Sequence, residues 1–252
     1  MKICLDAGHD RGYNPSPADP RYCEGTRMFD LQRYLKEALE ARGFTVVCTR
    51  TKVTDNPSLY ERGSMAAGCA VLLSLHSNAV GNEQNDAVDY VRVYYPVSRR
   101  DEALAQLLSE TIARTMGTQQ AAQILTRWNS AHNADYYGVI RHAAAVGGVG
   151  MILEHSFHTN ARTTAWLLSD ENLKQLAQRE AAALAEYYRM EGNYEKLKDV
   201  REAAYRPTVE KLLRLGVLRG KGGEGEETVL DLGEDALRLL VILDRAGVFE
   251  GK

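Results

Sequence analysis

Three apolar runs that each end in polar side chains place the strongest constraint on the fold of this sequence. Residues 3–9 (ICLDAGH), 72–78 (LLSLHSN) and 151–155 (MILEH) each begin with enough apolar residues for one buried strand. In open α/β sheets, ligands bind outside the carboxyl ends of the strands. We therefore expect His9, His76 and Glu154 to meet at one edge of a sheet and to form a metal-binding site.

Helical and strand patterns alternate between these runs. Leu31, Leu35 and Leu39 recur at the spacing of one helix face and predict a helix over 24–42, ended by Gly43. Further predicted helices cover 59–67, 100–116, 163–168 and 171–189, and further predicted strands cover 44–48, 70–75, 89–95, 136–140 and 150–153. This order predicts an α/β domain over residues 1–190, a mostly parallel mixed sheet with helices on both faces.

The remainder of the chain predicts a linker over 191–204 and a small C-terminal helical domain over 205–252. One helix is expected from Pro207 to Gly216, with proline near its start and glycine after its end. A glycine-rich loop and a second helix over 234–246 follow. A helical unit this short is marginally stable alone, so we expect it to dock on a partner or on a second copy of the chain.

Charge and composition exclude some classes of protein. The formal net charge of -3 offers no basic field for nucleic acid, and no run of about 18 apolar residues predicts a membrane span. The first residues indicate a strand and not a signal peptide. Cys4, Cys23, Cys48 and Cys69 contain no Cys-x-x-Cys pair, so buried free thiols are expected, with Cys23 as an alternative metal ligand beside Glu24.

His9, Glu24 and His76 form the candidate metal set. Two of them end predicted strands and the third begins a predicted helix, so all three can converge at one site. Catalytic zinc commonly keeps three protein ligands, and two histidines with one glutamate are an attested set. A single histidine after a strand is more often structural, and the pattern by itself leaves both interpretations open.

The motifs that carry these residues have a family resemblance. Residues 5–9 (LDAGH), Glu24 at a helix start, 74–78 (SLHSN) and 153–160 (LEHSFHTN) occur in this order, with Thr49, Arg50, Arg62 and 137–141 (YGVIR) between them. Over residues 1–190 the chain resembles zinc-dependent N-acetylmuramoyl-L-alanine amidases of the amidase-3 type. It departs from the pattern at Ala7, where many relatives have proline.

The resemblance implies a peptidoglycan hydrolase that cleaves the amide between N-acetylmuramic acid and L-alanine. It implies that His9, Glu24 and His76 bind Zn²⁺ and that Glu154 is the catalytic carboxylate, acting as general base and then as general acid. Two alternatives remain at this stage: a non-catalytic wall-binding protein that retains the amidase fold, and a zinc peptidase that cuts the stem peptide.

Five further residues receive expectations with less support. Asn78, Arg141 and His158 are candidate substrate contacts, with ordinary loop hydrogen bonding as the alternative. His155 follows Glu154 on a strand, and alternation turns its side chain to the opposite face, so we expect a structural role. Asp6 is a candidate hydrogen-bond acceptor that supports the turn after the first strand.

The C-terminal segment resembles, more weakly, one S-layer-homology-type wall-binding unit. This implies a secondary wall polymer as partner; a dimerising or stabilising helical pair is the alternative. A wall-lytic domain without a signal peptide is typical of a phage endolysin released by a holin, which we favour, or of a mother-cell autolysin. Either protein would be made in the cytoplasm and would act on the cell wall after release.

Overall fold

The computed structural model describes residues 1–188, 193–200 and 205–250. The chain divides into two compact units, residues 1–188 and 189–252. Strands of the first unit are β1 (Lys2–Ala7), β2 (Thr45–Cys48), β3 (Val71–Asn78), β4 (Arg92–Tyr94), β5 (Gln123–Leu125) and β6 (Gly150–Phe157). They form one sheet in the order β2-β1-β3-β6-β4-β5. The pairs β1–β2, β1–β3, β3–β6 and β4–β5 are parallel and β4–β6 is antiparallel, which confirms the predicted mostly parallel mixed sheet.

Helices cover both faces of this sheet. They are α1 (Glu24–Glu40), α2 (Leu59–Ser64), α3 (Glu102–Met116), α4 (Gly138–Ala145), α5 (Ala161–Leu167) and α6 (Asp170–Tyr188). Helices α1 and α3 both pack on α6, while α2 and α4 pack on each other. Beneath α4, Val139 and Ile140 share a buried apolar cluster with Cys4, Leu72 and Ile152 of the central strands. Because strand side chains alternate between faces, the intervening residues of the same strands face the other layer.

The predicted strand over 136–140 was wrong, because this segment enters helix α4 at Gly138. Its aromatic and β-branched residues favour a strand locally, yet Val139, Ile140 and Ala143 are buried at helical spacing. Helix α2 packs closely on this segment, since a Cβ atom on Gly63 would lie 2.5 Å from the Cβ atom of His142. Tertiary packing therefore overrides the local preference.

The strands that carry the candidate site run further than predicted. β3 extends through His76 to Asn78, and β6 extends through Glu154 to Phe157. β4 is shorter than expected, and residues 123–125, which carried no firm prediction, form the edge strand β5. His76 and Glu154 are consequently paired residues of neighbouring strands, and their side chains share one face of the sheet.

The second unit is not purely helical, and part of the predicted linker is structured. It contains β7 (Asn193–Lys196), α7 (Arg206–Arg214), β8 (Val229–Gly233) and α8 (Glu234–Arg245), with β7 antiparallel to β8. Tyr194 and Leu197, from the predicted linker, are buried with Val209, Leu230 and Leu237. Such a small unit needs these apolar residues to complete its core. Their neighbours in the sequence are polar, so no sequence pattern indicates that they are buried.

The remaining predictions for this part of the chain concern the linker and the partners of the second unit. Residues 191–192 and 201–204 of the predicted linker lie outside the described residues. The wall-polymer partner and the second copy of the chain both stay predictions. Among the helices that the structure describes, none combines the length and the apolar composition that a membrane crossing requires.

Candidate active site

The strand register places the candidate residues in rows across the sheet. Asp6 of β1 lies beside Ser74 of β3. One row nearer the carboxyl ends of these parallel strands, His76 lies beside Glu154 of β6, and Glu154 lies beside Arg92 of β4. Residues directly opposite one another on paired strands point to the same face. This is the face covered by α2 and α4.

The turn after β1 holds His9 in an unusual backbone conformation. His9 has a φ of 60°, which costs a residue with a Cβ atom about 1–2 kcal/mol. Arg62 Nη1 and Nη2 donate to the carbonyls of Ala7 and His9, each at 2.7 Å. Arg50 Nη1 donates to the carbonyl of Gly25 at 2.8 Å, and both guanidinium groups are buried. The two arginines therefore fix the turn against the start of α1.

His9, Glu24 and His76 come together as the sequence predicts. Their ligand atoms lie within 4.8 Å of one another. Glu24 Oε1 lies 2.9 Å from His76 Nδ1 and 3.4 Å from His9 Nε2. Two imidazole nitrogens and a carboxylate oxygen are ligands that zinc accepts. Cys23 does not join them, because its thiol donates to the carbonyl of Tyr13.

The carboxylate of Glu24 is buried and ready to bind a cation. Asn14 Nδ2 donates to Oε2 at 2.6 Å, and the Ser77 amide donates to Oε1 at 3.1 Å. Burial raises the pKa of Glu24, but hydrogen bonds with His76 and His9 outweigh it and hold that pKa well below its ordinary range. Sequence reasoning missed Asn14, since nothing in the proline-rich loop distinguishes it from a turn residue.

A hydrogen-bond chain supports the other side of the His76 ring. His76 Nε2 lies 3.1 Å from Ser74 Oγ, and that hydroxyl donates to Asp6 Oδ2 at 2.5 Å. Asp6 is held in turn by Arg62 at 2.7 Å. With the serine proton directed at Asp6, Ser74 Oγ accepts from His76 Nε2–H, which directs Nδ1 toward Glu24. Such outer hydrogen bonds set the tautomer and orientation of a metal-binding histidine.

Two further features describe the room and the charge around the His76 ring. A Cβ atom on Gly8 would lie 2.2 Å from His76 Cε1, so only glycine leaves room for the ring. Burial lowers the pKa of His76, yet the hydrogen bond and charge of Glu24 raise it to about 9. The site thus stabilises positive charge at the position where a metal ion would bind. The donor set and the space around it fit zinc.

Glu154 lies in the wall of a cavity that also exposes two of these ligands. The cavity has a volume of about 490 Å³. His9, His76 and Glu154 supply polar lining, and Leu59, Tyr137, Val139 and Ile152 supply apolar lining. Glu154 Oε2 is buried and has no hydrogen-bond partner among the described residues. Burial raises the pKa of this carboxyl to about 7, which suits a group that accepts and returns a proton near neutral pH.

His155 confirms the expected alternation. Its ring lies on the opposite face from Glu154, with Nε2 2.8 Å from Glu180 Oε1 of α6 and both side chains fully buried. Burial lowers the pKa of His155, but the charge and hydrogen bond of Glu180 outweigh it and the pKa is raised. His155 therefore ties β6 to α6 and has a structural role.

The three expected substrate contacts do not line the cavity. His158 is 3% exposed and its ring stacks on Tyr22. The distance from its Nδ1 atom to Ser77 Oγ is 2.9 Å. His158 is therefore an interior residue in this structure, and its contact with substrate stays a prediction. Asn78 accepts from the next backbone amide, and Arg141 donates to two carbonyls of the preceding loop. Substrate contact by Asn78 or Arg141 stays a prediction.

Comparison with known proteins identifies relatives of the first unit. The family described as N-acetylmuramoyl-L-alanine amidase matches residues 3–186. The search of curated proteins found no match.

Solved structures share the fold of this unit. The catalytic domain of CwlV, an amidase from Bacillus (Paenibacillus) polymyxa var. colistinus, is 22% identical with a TM-score of 0.62, over 75% of this chain and 98% of that chain. An N-acetylmuramoyl-L-alanine amidase from Clostridium difficile 630 is 20% identical with a TM-score of 0.63, over 75% and 96%. AmiC2 of Nostoc punctiforme is 20% identical with a TM-score of 0.60, over 75% and 97%.

Proposed function

Since the chain belongs to the N-acetylmuramoyl-L-alanine amidase family and is a peptidoglycan amidase, we propose that it hydrolyses its substrate with zinc held by His9, Glu24 and His76. In this proposal Glu154 is the proton-transfer group. One observation carries it: three zinc-type donor atoms converge within 4.8 Å, and a buried carboxylate with an unpartnered oxygen lines the same cavity as His9 and His76.

The three ligand residues determine the position of a bound metal ion and the charge around it. Glu24 brings one negative charge and the two imidazoles bring none, so a bound divalent ion keeps a net positive charge toward the cavity. Three protein ligands leave a fourth coordination position open. Zinc bound in such a site supplies Lewis acidity, which lowers the pKa of water toward about 7 and polarises a carbonyl.

Glu154 supplies the proton transfer that amide hydrolysis needs. Its carboxylate takes a proton from the attacking water and delivers it to the nitrogen of L-alanine as that amine leaves, so the proton count balances. A pKa near 7 lets one group do both near neutral pH. Val139 and Ile152 form apolar walls of the same cavity.

The test is digestion of purified peptidoglycan, followed by mass analysis of the products. The wild type is loaded with zinc in one arm and treated with a chelator in the other, and Glu154→Gln serves as a matched variant. Release of free L-alanine amino termini only by the zinc-loaded wild type supports the proposal. Cuts within the stem peptide would identify a peptidase. Wall binding without any release would identify a non-catalytic binding protein.

A further inference from the structure

The row that contains His76 and Glu154 continues onto β4 with an arginine. Arg92 lies opposite Glu154 in the antiparallel register, and Gln123 of β5 lies opposite Arg92 on its other side. Neighbouring strands are about 4.8 Å apart, so the base of the Arg92 side chain is one strand from the catalytic carboxylate. The roles proposed above for the metal ligands and for Glu154 do not involve Arg92.

Arg92 is anchored entirely by neutral groups. Its guanidinium lies 5.0 Å from the ring centroid of Tyr90 and 5.9 Å from that of Tyr94. Both phenol oxygens accept hydrogen bonds from it, and Gln123 Oε1 accepts from Nη2 at 3.0 Å. These contacts fix the direction of the side chain without neutralising its charge.

The charge of Arg92 has no close counter-ion. Within residues 1–188, 193–200 and 205–250, no carboxylate lies within the 4.0 Å that defines an ion pair with it. Its Nε atom is buried and has no hydrogen-bond partner among the same residues. A fixed, partly buried guanidinium without a paired anion can donate hydrogen bonds to a carboxylate, and such charge-assisted hydrogen bonds are the strong ones.

A second arginine extends the same surface outward. Tyr94 packs on Tyr137 with ring centroids 4.6 Å apart, and Tyr137 lines the cavity beside Glu154. Arg127 lies 3.6 Å above the ring of Tyr136, the exposed neighbour of Tyr137. The arginine–tyrosine strip consists of Tyr90, Arg92, Tyr94, Tyr137, Arg127 and Tyr136. Within this strip Tyr137 lines the cavity, Arg92 is half-buried, and Arg127 and Tyr136 are exposed, so the strip carries two positive charges.

We propose that Arg92 recognises a carboxylate of the stem peptide on the L-alanine side of the bond that is cut. This inference rests on the proposed function. The residue that follows L-alanine in peptidoglycan is a glutamate whose α-carboxyl group is either free or amidated. An extended peptide advances about 3.3 Å per residue, so the group that follows L-alanine lies about one strand spacing from the bond that is cut, and Arg92 is based one strand from Glu154.

The experiment compares two muramyl dipeptides that differ in one group. N-acetylmuramoyl-L-alanyl-D-glutamate has the free carboxylate, and N-acetylmuramoyl-L-alanyl-D-isoglutamine has the neutral amide. The quantity measured is the ratio of kcat/KM for the two substrates, with zinc-loaded wild type and Arg92→Gln. We expect the wild type to prefer the carboxylate by about tenfold to a hundredfold, the range for one charge-assisted hydrogen bond, and the ratio to approach one in Arg92→Gln.

Two matched variants isolate the effect of Arg92. Arg33 also lies over a tyrosine, Tyr34 at 5.6 Å, but it is on α1 and lies 3.7 Å from Asp30. Arg33→Gln should keep the wild-type ratio. Arg92→Lys keeps the charge and should retain part of the preference, which covers the case in which Arg92→Gln unfolds. An equal loss on both dipeptides, or a wild-type ratio of one, would overturn the proposal.

A binding measurement separates this inference from the proposed function. Calorimetric titration of both dipeptides into zinc-loaded Glu154→Gln, with and without Arg92→Gln, reports recognition without turnover. A carboxylate preference in binding that depends on Arg92, together with no hydrolysis by the wild type, would uphold the inference and refute the hydrolysis. Hydrolysis without any preference for the carboxylate would uphold the proposed hydrolysis and refute the role of Arg92.

Discussion

The replacement Ser74→Ala tests whether the hydrogen-bond chain behind His76 controls the metal site. The Ser74 hydroxyl is fully buried, 3.1 Å from His76 Nε2 and 2.5 Å from Asp6 Oδ2. Alanine removes that hydroxyl and changes little else in volume. His76 Nε2 and Asp6 Oδ2 then each lose a hydrogen-bond partner. The ring loses one of the two side-chain hydrogen bonds that orient it and is then held by Glu24 through Nδ1.

The size of the effect follows from the loss of this partner. Removing an outer-shell hydrogen bond from a metal-binding histidine typically costs about 10–100-fold in metal affinity, which is about 1.4–2.8 kcal/mol. Leaving a buried polar group unsatisfied also lowers the free energy of unfolding by about 1–3 kcal/mol. We therefore expect Ser74→Ala to fold, with a lower Tm and with zinc affinity reduced about 10–100-fold.

The assay is competition for zinc between the protein and a chromophoric chelator, and it needs no substrate. Ser109→Ala is the matched control, since Ser109 is also fully buried but donates to the carbonyl of Gln106 on α3. Ser109→Ala should lower Tm without changing zinc affinity. The argument is refuted when Ser74→Ala binds zinc within twofold of the wild type, or when both serine variants weaken binding equally.

Three further predictions concern Glu154, Gly8 and the buried pair His155–Glu180. Glu154→Gln should lower kcat on peptidoglycan about 10²–10⁴-fold with zinc affinity unchanged in the competition assay; near-normal lysis would contradict this role. Gly8→Ala should abolish zinc binding, because its Cβ atom would lie 2.2 Å from His76 Cε1; normal zinc affinity would disprove the steric argument. Glu180 raises the pKa of His155 above 6.5, so the stability from this pair is complete below pH 6.5 and disappears as pH rises through the raised pKa. Glu180→Gln should therefore lower the free energy of unfolding by about 3–5 kcal/mol at pH 6 and by less at pH 9 in urea titrations; equal losses at both pH values would show that His155 is not charged.

Much of the site could be predicted because its signals are local. Strand alternation alone separated Glu154 from His155, and the structure places the two side chains on opposite faces. The apolar runs before His9 and His76 identified the strands that position them, and the motif resemblance named Glu24 as the third ligand. The wall partners of the second unit and the route of release stay predictions.

The failures occurred where a segment's state depends on distant partners. Residues 136–140 have the composition of a strand, but the segment enters helix α4, which packs closely on α2 at Gly63. Tyr194 and Leu197 lie in a polar run, and only the apolar core of the second unit shows why they are buried. No local pattern encodes these contacts.

By itself, the sequence determined which side chains end strands, which face of a strand each one takes, and which donor types are present. Those properties depend on the period of the backbone and on residue chemistry, both of which are local. Only the tertiary structure decided that Asn14 holds Glu24, that Ser74 joins His76 to Asp6, and that Arg92 stands beside Glu154. Those relations depend on strand register and helix packing, in which residues far apart in the chain come within hydrogen-bond distance.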